Sequence, residues 1–144
     1  MPKPIVNKAS AVWNGDLFSG SGRTTLETSG LAGFDVNWKA RAEESGGVTT
    51  PEELIAAAHA ACYSMALSNV LAKNGTPPAQ LDTTAAVTFV AGSGITEIHL
   101  TVRGQAEGVS AEDFQRLAEE AKTGCPVSQA LSAVPITLDA ATLA

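Results

Sequence analysis

Over the first third of the chain, apolar and polar positions fall into short runs separated by turn residues. Ile5 to Trp13 leads into a turn at Asn14-Gly15-Asp16, and Gly20-Ser21-Gly22 marks another before the threonine-rich stretch from Arg23 to Thr28. This pattern predicts a meander of antiparallel strands. From Asp35 to Arg41, Val36, Trp38 and Ala40 alternate with Asn37, Lys39 and Arg41. A period of two predicts a strand that ends at Arg41, with this side chain opposite the apolar face.

The pattern then changes. Thr50-Pro51-Glu52-Glu53 is a helix start: Thr50 suits the N-cap, Pro51 the first helical position, and Glu53 completes a capping box. The helix should run from Pro51 to about Lys73 and stop at Asn74-Gly75, ahead of Pro77-Pro78. It is apolar nearly all round, so it needs cover on most sides. One sheet covers one side, and a second subunit could supply the rest. Asp82 to Ala91 and Ile95 to Gly104 predict a strand pair around Gly92-Ser93-Gly94, with Ile98, Leu100 and Val102 on one face. Ser110 caps a helix that runs to about Lys122 and ends at Gly124, Cys125-Pro126 opens a short helix to about Ser132, and Val134 to Asp139 reads as a last strand. The order βββ-α-ββ-α-α-β, without repeats or a linker, predicts an α+β fold with antiparallel sheet and segregated helices.

Composition narrows the function classes. With 144 residues, 44% of them hydrophobic and 17% charged, residues 1–144 are expected to form a single globular domain. A net charge of −6 argues against a nucleic-acid binder, which would need a basic face to neutralise phosphates. Met1-Pro2-Lys3-Pro4 carries no apolar stretch after its charge, so no signal peptide is read there and a cytoplasmic location is expected. The run from Leu54 to Leu71 is rich in alanine and holds His59, Ser64, Ser68 and Asn69. It is read as a core helix, too weakly hydrophobic for a membrane span.

Two cysteines in a reducing compartment are inert core thiols, metal ligands or a redox pair. Cys62 lies mid-helix, where a small buried hydrophobe is the ordinary occupant. Cys125, between Gly124 and Pro126, sits at a helix N-cap, where free backbone N–H groups favour a thiolate. Residue pattern alone therefore nominates Cys125 as the reactive thiol. His59 is three positions before Cys62; a Cys-His base pair is conceivable, but a packed, hydrogen-bonded histidine is the ordinary reading. Zinc needs about four ligands, and His59, Cys62 and Cys125 leave one missing, with His99 on a polar strand face. No metal site is expected.

The run from Pro51 to Leu67, with His59-Ala60-Ala61-Cys62-Tyr63-Ser64-Met65 at its centre, resembles the signature helix of the OsmC/Ohr family of organic hydroperoxide reductases. Gly124-Cys125-Pro126-Val127-Ser128 resembles that family's second cysteine motif, and the likeness extends to Trp13-Asn14-Gly15-Asp16 and Ser19-Gly20-Ser21-Gly22. His59 and the valine of Cys-Pro-Val-Ser look like the OsmC branch. The resemblance reverses the order of the thiols. It implies a peroxidatic Cys62 and a resolving Cys125 joined in a disulfide cycle, an arginine before the long helix, here Arg41, and a glutamate at its start, Glu52. It also implies an intertwined homodimer with antiparallel sheets around a long central helix, no metal, flavin or haem, an organic hydroperoxide substrate and a dithiol reductant.

The chemistry asks for the same groups. A thiolate that splits an O–O bond needs a nearby cation to favour the thiolate and to stabilise the departing alkoxide. Arg41 offers a permanent charge and five donors, and Glu52 could hold it by a bidentate pair. Apolar neighbours of Cys62 on its helix face, Ile55, Ala58, Met65 and Ala66, would favour alkyl or lipid hydroperoxides over hydrogen peroxide. Glu52 and Cys62 are ten positions apart, so roughly 15 Å along the axis and roughly 80° around it in one straight helix. If both serve one centre, Glu52 comes from a second subunit. Two other functions remain: a non-enzymatic hydrophobic carrier or sensor with incidental thiols, and a thiol-disulfide oxidoreductase, which the lack of a Cys-x-x-Cys weakens.

Overall fold

The computed structural model describes residues 2–142; Met1 of the N-terminal segment read above lies outside them. By its internal contacts the chain divides into two compact units, Met1–Pro51 and Glu52–Ala144.

In the first unit, β1 (Ala9–Asn14), β2 (Ser21–Leu26) and β3 (Gly33–Val36) form the expected antiparallel meander in that order. The Trp13 indole N–H donates to the carbonyls of Gly15 and Asp16 at 3.0 and 3.2 Å, tying the first strand to its turn. The strand expected to reach Arg41 stops at Val36. Asn37 accepts a hydrogen bond from the Ala40 N–H at 2.8 Å and starts a short helix, α1 (Trp38–Ala42). An Asn side chain that takes an N–H from the third residue on is an N-cap, and Trp-Lys-Ala-Arg-Ala carries no residue that resists a helical turn. Arg41 therefore belongs to the last turn of α1, not to a strand end.

The long helix α2 (Pro51–Lys73) has the expected bounds. Its end is set by Gly75, whose φ of +82° suits glycine, and by the Thr76 N–H, which donates to the Leu71 carbonyl at 2.9 Å. The second unit adds β4 (Gln80–Val90), β5 (Gly94–Gln105), α3 (Ala111–Gly124), α4 (Pro126–Ala130) and β6 (Ile136–Thr142), with sheet order β4-β5-β6. β4 and β5 pair antiparallel, as expected. β6 pairs parallel with β5, so the sheet is mixed rather than wholly antiparallel. The chain returns through α3 and α4, and a helical crossover brings a strand back in the same direction. Ser110 caps α3 by accepting from the Asp113 N–H at 3.0 Å, as its sequence suggested.

One core fills the second unit. Tyr63, Leu67 and Leu71 of α2 meet Leu100 and Val102 of β5 and Phe114, Leu117, Ala118 and Ala121 of α3, with Cys125 among them. Full burial of each large side chain here stabilises by about 1.5–3 kcal/mol. Gly104 lets α3 approach: a Cβ there would come within 2.6 Å of the Phe114 ring. The opposite face of α2, including Ala57, Ala58, Ala61, Met65, Asn69 and Ala72, stays exposed. By length and composition α2 could cross a membrane, contrary to the sequence reading. Its buried row of Tyr63, Leu67 and Leu71, with His59 buried beside them, makes it the core helix of this unit.

Candidate active site

Cys62 and Cys125, 63 positions apart in the chain, meet in the second unit with their Sγ atoms 3.3 Å apart. Both are free thiols. A disulfide requires about 2.05 Å, so a small movement would join them. Local structure explains the position of Cys125. Its N–H still donates to Ala121 as the last bond of α3, while its carbonyl accepts from Gln129 as the first bond of α4. With φ −67° and ψ 121° it is extended between the two helices, and Pro126 takes the first position of α4.

Of the two cysteines Cys62 is the partly exposed residue; Cys125 is 0% exposed. Burial pushes the Cys62 thiol above its ordinary value, and the neighbouring Cys125 thiol pushes the same way. A hydrogen bond from the Val127 N–H acts in the opposite direction. Pro126 has no N–H to give, so Val127 supplies the first free amide of α4, and this amide serves Cys62. Residue pattern aims the positive end of this helix at Cys125, whose side chain makes no capping bond. A backbone donor is invisible to residue-type patterns, and only the proline after Cys125 hinted at which amide would be free.

Side chains around the sulfurs fasten α2 in place. The His59 Nε2 lies 2.7 Å from the Ser128 Oγ, and both residues are buried. Burial lowers the His59 pKa and keeps the ring neutral near pH 7. The hydrogen bond of His59 goes to Ser128, consistent with the packed reading of this residue. Tyr63 donates to the Ala118 carbonyl at 2.8 Å, and Ser64 donates to the Thr83 Oγ1 at 2.7 Å. Residue pattern alone gives Ser128 and Tyr63 no role. His99 is exposed on β5, 2.6 Å from the Thr137 Oγ1. Among the described residues no group of three or more His, Cys, Asp or Glu side chains is placed to hold a metal ion.

Glu52 is buried in the first turn of α2, in the second unit. Arg41 is in the first unit, where it lines a cavity of about 380 Å³ together with Trp13, Leu17, Val36 and Trp38. The combination of aromatic and aliphatic walls with one guanidinium suits an apolar molecule that carries a polar or anionic end. Met65, which sequence reading placed among the substrate contacts, is 73% exposed.

The family model described as OsmC-like protein matches residues 44–139. The chain is 44% identical over 138 residues to peroxiredoxin OsmC of Escherichia coli strain K12, covering 94% of this chain and 95% of that protein. It is 33% identical over 105 residues to the organic hydroperoxide resistance protein OhrA of Bacillus subtilis strain 168, covering 70% of this chain and 73% of that one. In fold it is similar to an OsmC-like protein of Mycoplasma pneumoniae, with a TM-score of 0.73 at 14% identity, covering 99% of this chain and all of that one.

Proposed function

The chain belongs to the OsmC-like family and is a hydroperoxide-reducing thiol peroxidase, and from that premise we propose that Cys62 and Cys125 carry the reaction as a two-thiol cycle. The observation that carries this reading is the 3.3 Å separation of the two sulfurs, one partly exposed and the other buried behind it. The Cys62 thiolate attacks one peroxide oxygen, the O–O bond breaks, and the alkoxide takes a proton and leaves as alcohol. Cys62 is then a sulfenic acid. The Cys125 sulfur attacks it, an S–S bond forms, and hydroxide leaves as water. The two thiols have supplied the two electrons that reduced the peroxide. A dithiol returns them by exchange.

Arg41 is assigned the cation. Burial raises the Cys62 thiol, so the thiolate needs positive charge in addition to the Val127 amide. Glu52 is assigned to orient Arg41. The apolar cavity at Arg41 supports alkyl or lipid hydroperoxides as substrates. The exposed small-residue face of α2, with Met65 at its middle, supports a homodimer, and if Glu52 and Cys62 serve one centre their spacing along α2 assigns the glutamate to the partner's centre. Residues 1–144 are read as one OsmC-like domain acting in the cytoplasm, with no metal or organic cofactor.

The test is turnover of cumene hydroperoxide with a dithiol. Cys62→Ser should abolish it, and Cys125→Ser should allow one oxidation per chain with little recycling. Full turnover by Cys62→Ser would refute the assignment of Cys62; a carrier or sensor would instead show no turnover in the wild type and keep its ligand binding in Cys62→Ser.

A further inference from the structure

We propose that His59 and Ser128 are a positioning pair that fastens α4 to α2 and so holds Cys125 within reach of Cys62. The inference rests on the two-thiol reading and adds residues that touch neither substrate nor sulfur chemistry.

Among the described residues, side-chain hydrogen-bond or sulfur contacts bridge α2 to the segment that begins at Cys125 at two places: the sulfurs, and His59 with Ser128. On each side the members are three positions apart, 59 and 62 on α2, 125 and 128 at the start of α4. The pairs therefore stand as two rungs one helical turn apart. α4 is five residues long, too short to hold its own shape without packing. The sulfur rung cannot hold it throughout the cycle. Once Cys62 carries oxygen, its contact with Cys125 has to rearrange before the S–S bond can form. The His59–Ser128 rung is unchanged by that chemistry.

The use His59 makes of its ring supports a dedicated role. The Nδ1 is buried and has no hydrogen-bond partner among the described residues, while the Nε2 binds Ser128. A half-satisfied buried imidazole is a costlier filler than an apolar side chain of the same size. Packing alone does not explain it; the single bond to α4 does. A bare lone pair is tolerated better than a bare N–H, so the Nε2 carries the proton and donates to the Ser128 Oγ.

Removing the rung should weaken the disulfide and slow its formation. The direct readout is the equilibrium of the Cys62–Cys125 disulfide with reduced and oxidised dithiothreitol, which involves no peroxide. Ser128→Ala and His59→Leu should each lower the equilibrium constant for the disulfide about tenfold, the scale of one lost hydrogen bond. That is a shift of about 30 mV towards easier reduction. His59→Gln, which can present an N–H at the position of Nε2, should restore most of it. With cumene hydroperoxide, the Ser128→Ala sulfenic acid should persist long enough for dimedone capture and over-oxidise more readily. Equilibrium constants within about twofold of wild type in folded Ser128→Ala and His59→Leu, or no advantage of His59→Gln over His59→Leu, would overturn the proposal. If Ser128→Ala does not fold, the His59 pair, which differs in the donor, decides. A wild-type chain that forms the disulfide with oxidised dithiothreitol but not with hydroperoxide would sink the peroxidase cycle, and the variant equilibria would still decide the positioning role.

Discussion

A buried thiol is a poor nucleophile because burial disfavours its anion, and Cys62 is pushed in that direction by its surroundings. The Val127 amide offsets part of this, and Arg41 is assigned the remainder. Arg41→Ala should therefore lower the rate constant with cumene hydroperoxide by about 10²–10³-fold, the usual loss for one charge-stabilising donor. Its melting temperature should change little. Its pH–rate profile should keep rising into alkaline solution, because the thiolate forms only as the raised pKa is approached, whereas the wild-type rate should level off at lower pH. Arg41→Lys should restore little, since an ammonium lacks the planar fork. At this scale the sequence was legible unevenly. The meeting of Cys62 and Cys125 could not be derived from any periodicity, because 63 positions and three other elements separate them; only the family resemblance pointed to it. The Val127 donor belongs to the backbone, and residue types say nothing of where it points.

Elements were legible where the chain punctuates itself. Pro51 at the start of α2, Asn74-Gly75 at its end and Ser110 before α3 each impose a backbone preference that tertiary packing did not override. α1 was missed because five residues satisfy a period of two as well as a helical turn, and the Asn37 cap decided between them. The direction of β6 was missed because it depends on the crossover rather than on its own residues. Two predictions belong here. Gly104→Ala would place a methyl against Phe114 and should destabilise by about 1–3 kcal/mol in urea unfolding, with thiol chemistry intact in the folded fraction. His59 gives a pH dependence. Its pKa is lowered by burial, so between that lowered value and 6.5 the unfolded chain binds a proton that the folded chain refuses. Stability should fall as pH drops through that window, and His59→Gln should remove this part of the slope, measured by urea unfolding at about pH 7 and about pH 5.

On the scale of the whole molecule, α2 carries the largest consequence. Its apolarity on all sides predicted cover beyond one sheet, and one face is indeed left open, with Met65 73% exposed. A charge in the middle of that face should break the proposed dimer. Met65→Glu is expected to elute as a monomer by light scattering while keeping its far-ultraviolet circular dichroism. A wild-type monomer would remove the assignment of Glu52 to the partner's centre. The central claim is simpler: two sulfurs from distant segments deliver the electrons to the peroxide. It is tested most directly by intact mass after one equivalent of cumene hydroperoxide is added to the fully reduced protein. The expected mass is lower by two hydrogens, with Cys62 and Cys125 joined in the peptide map. An unchanged mass, or a stable added oxygen with Cys125 still free, would contradict it.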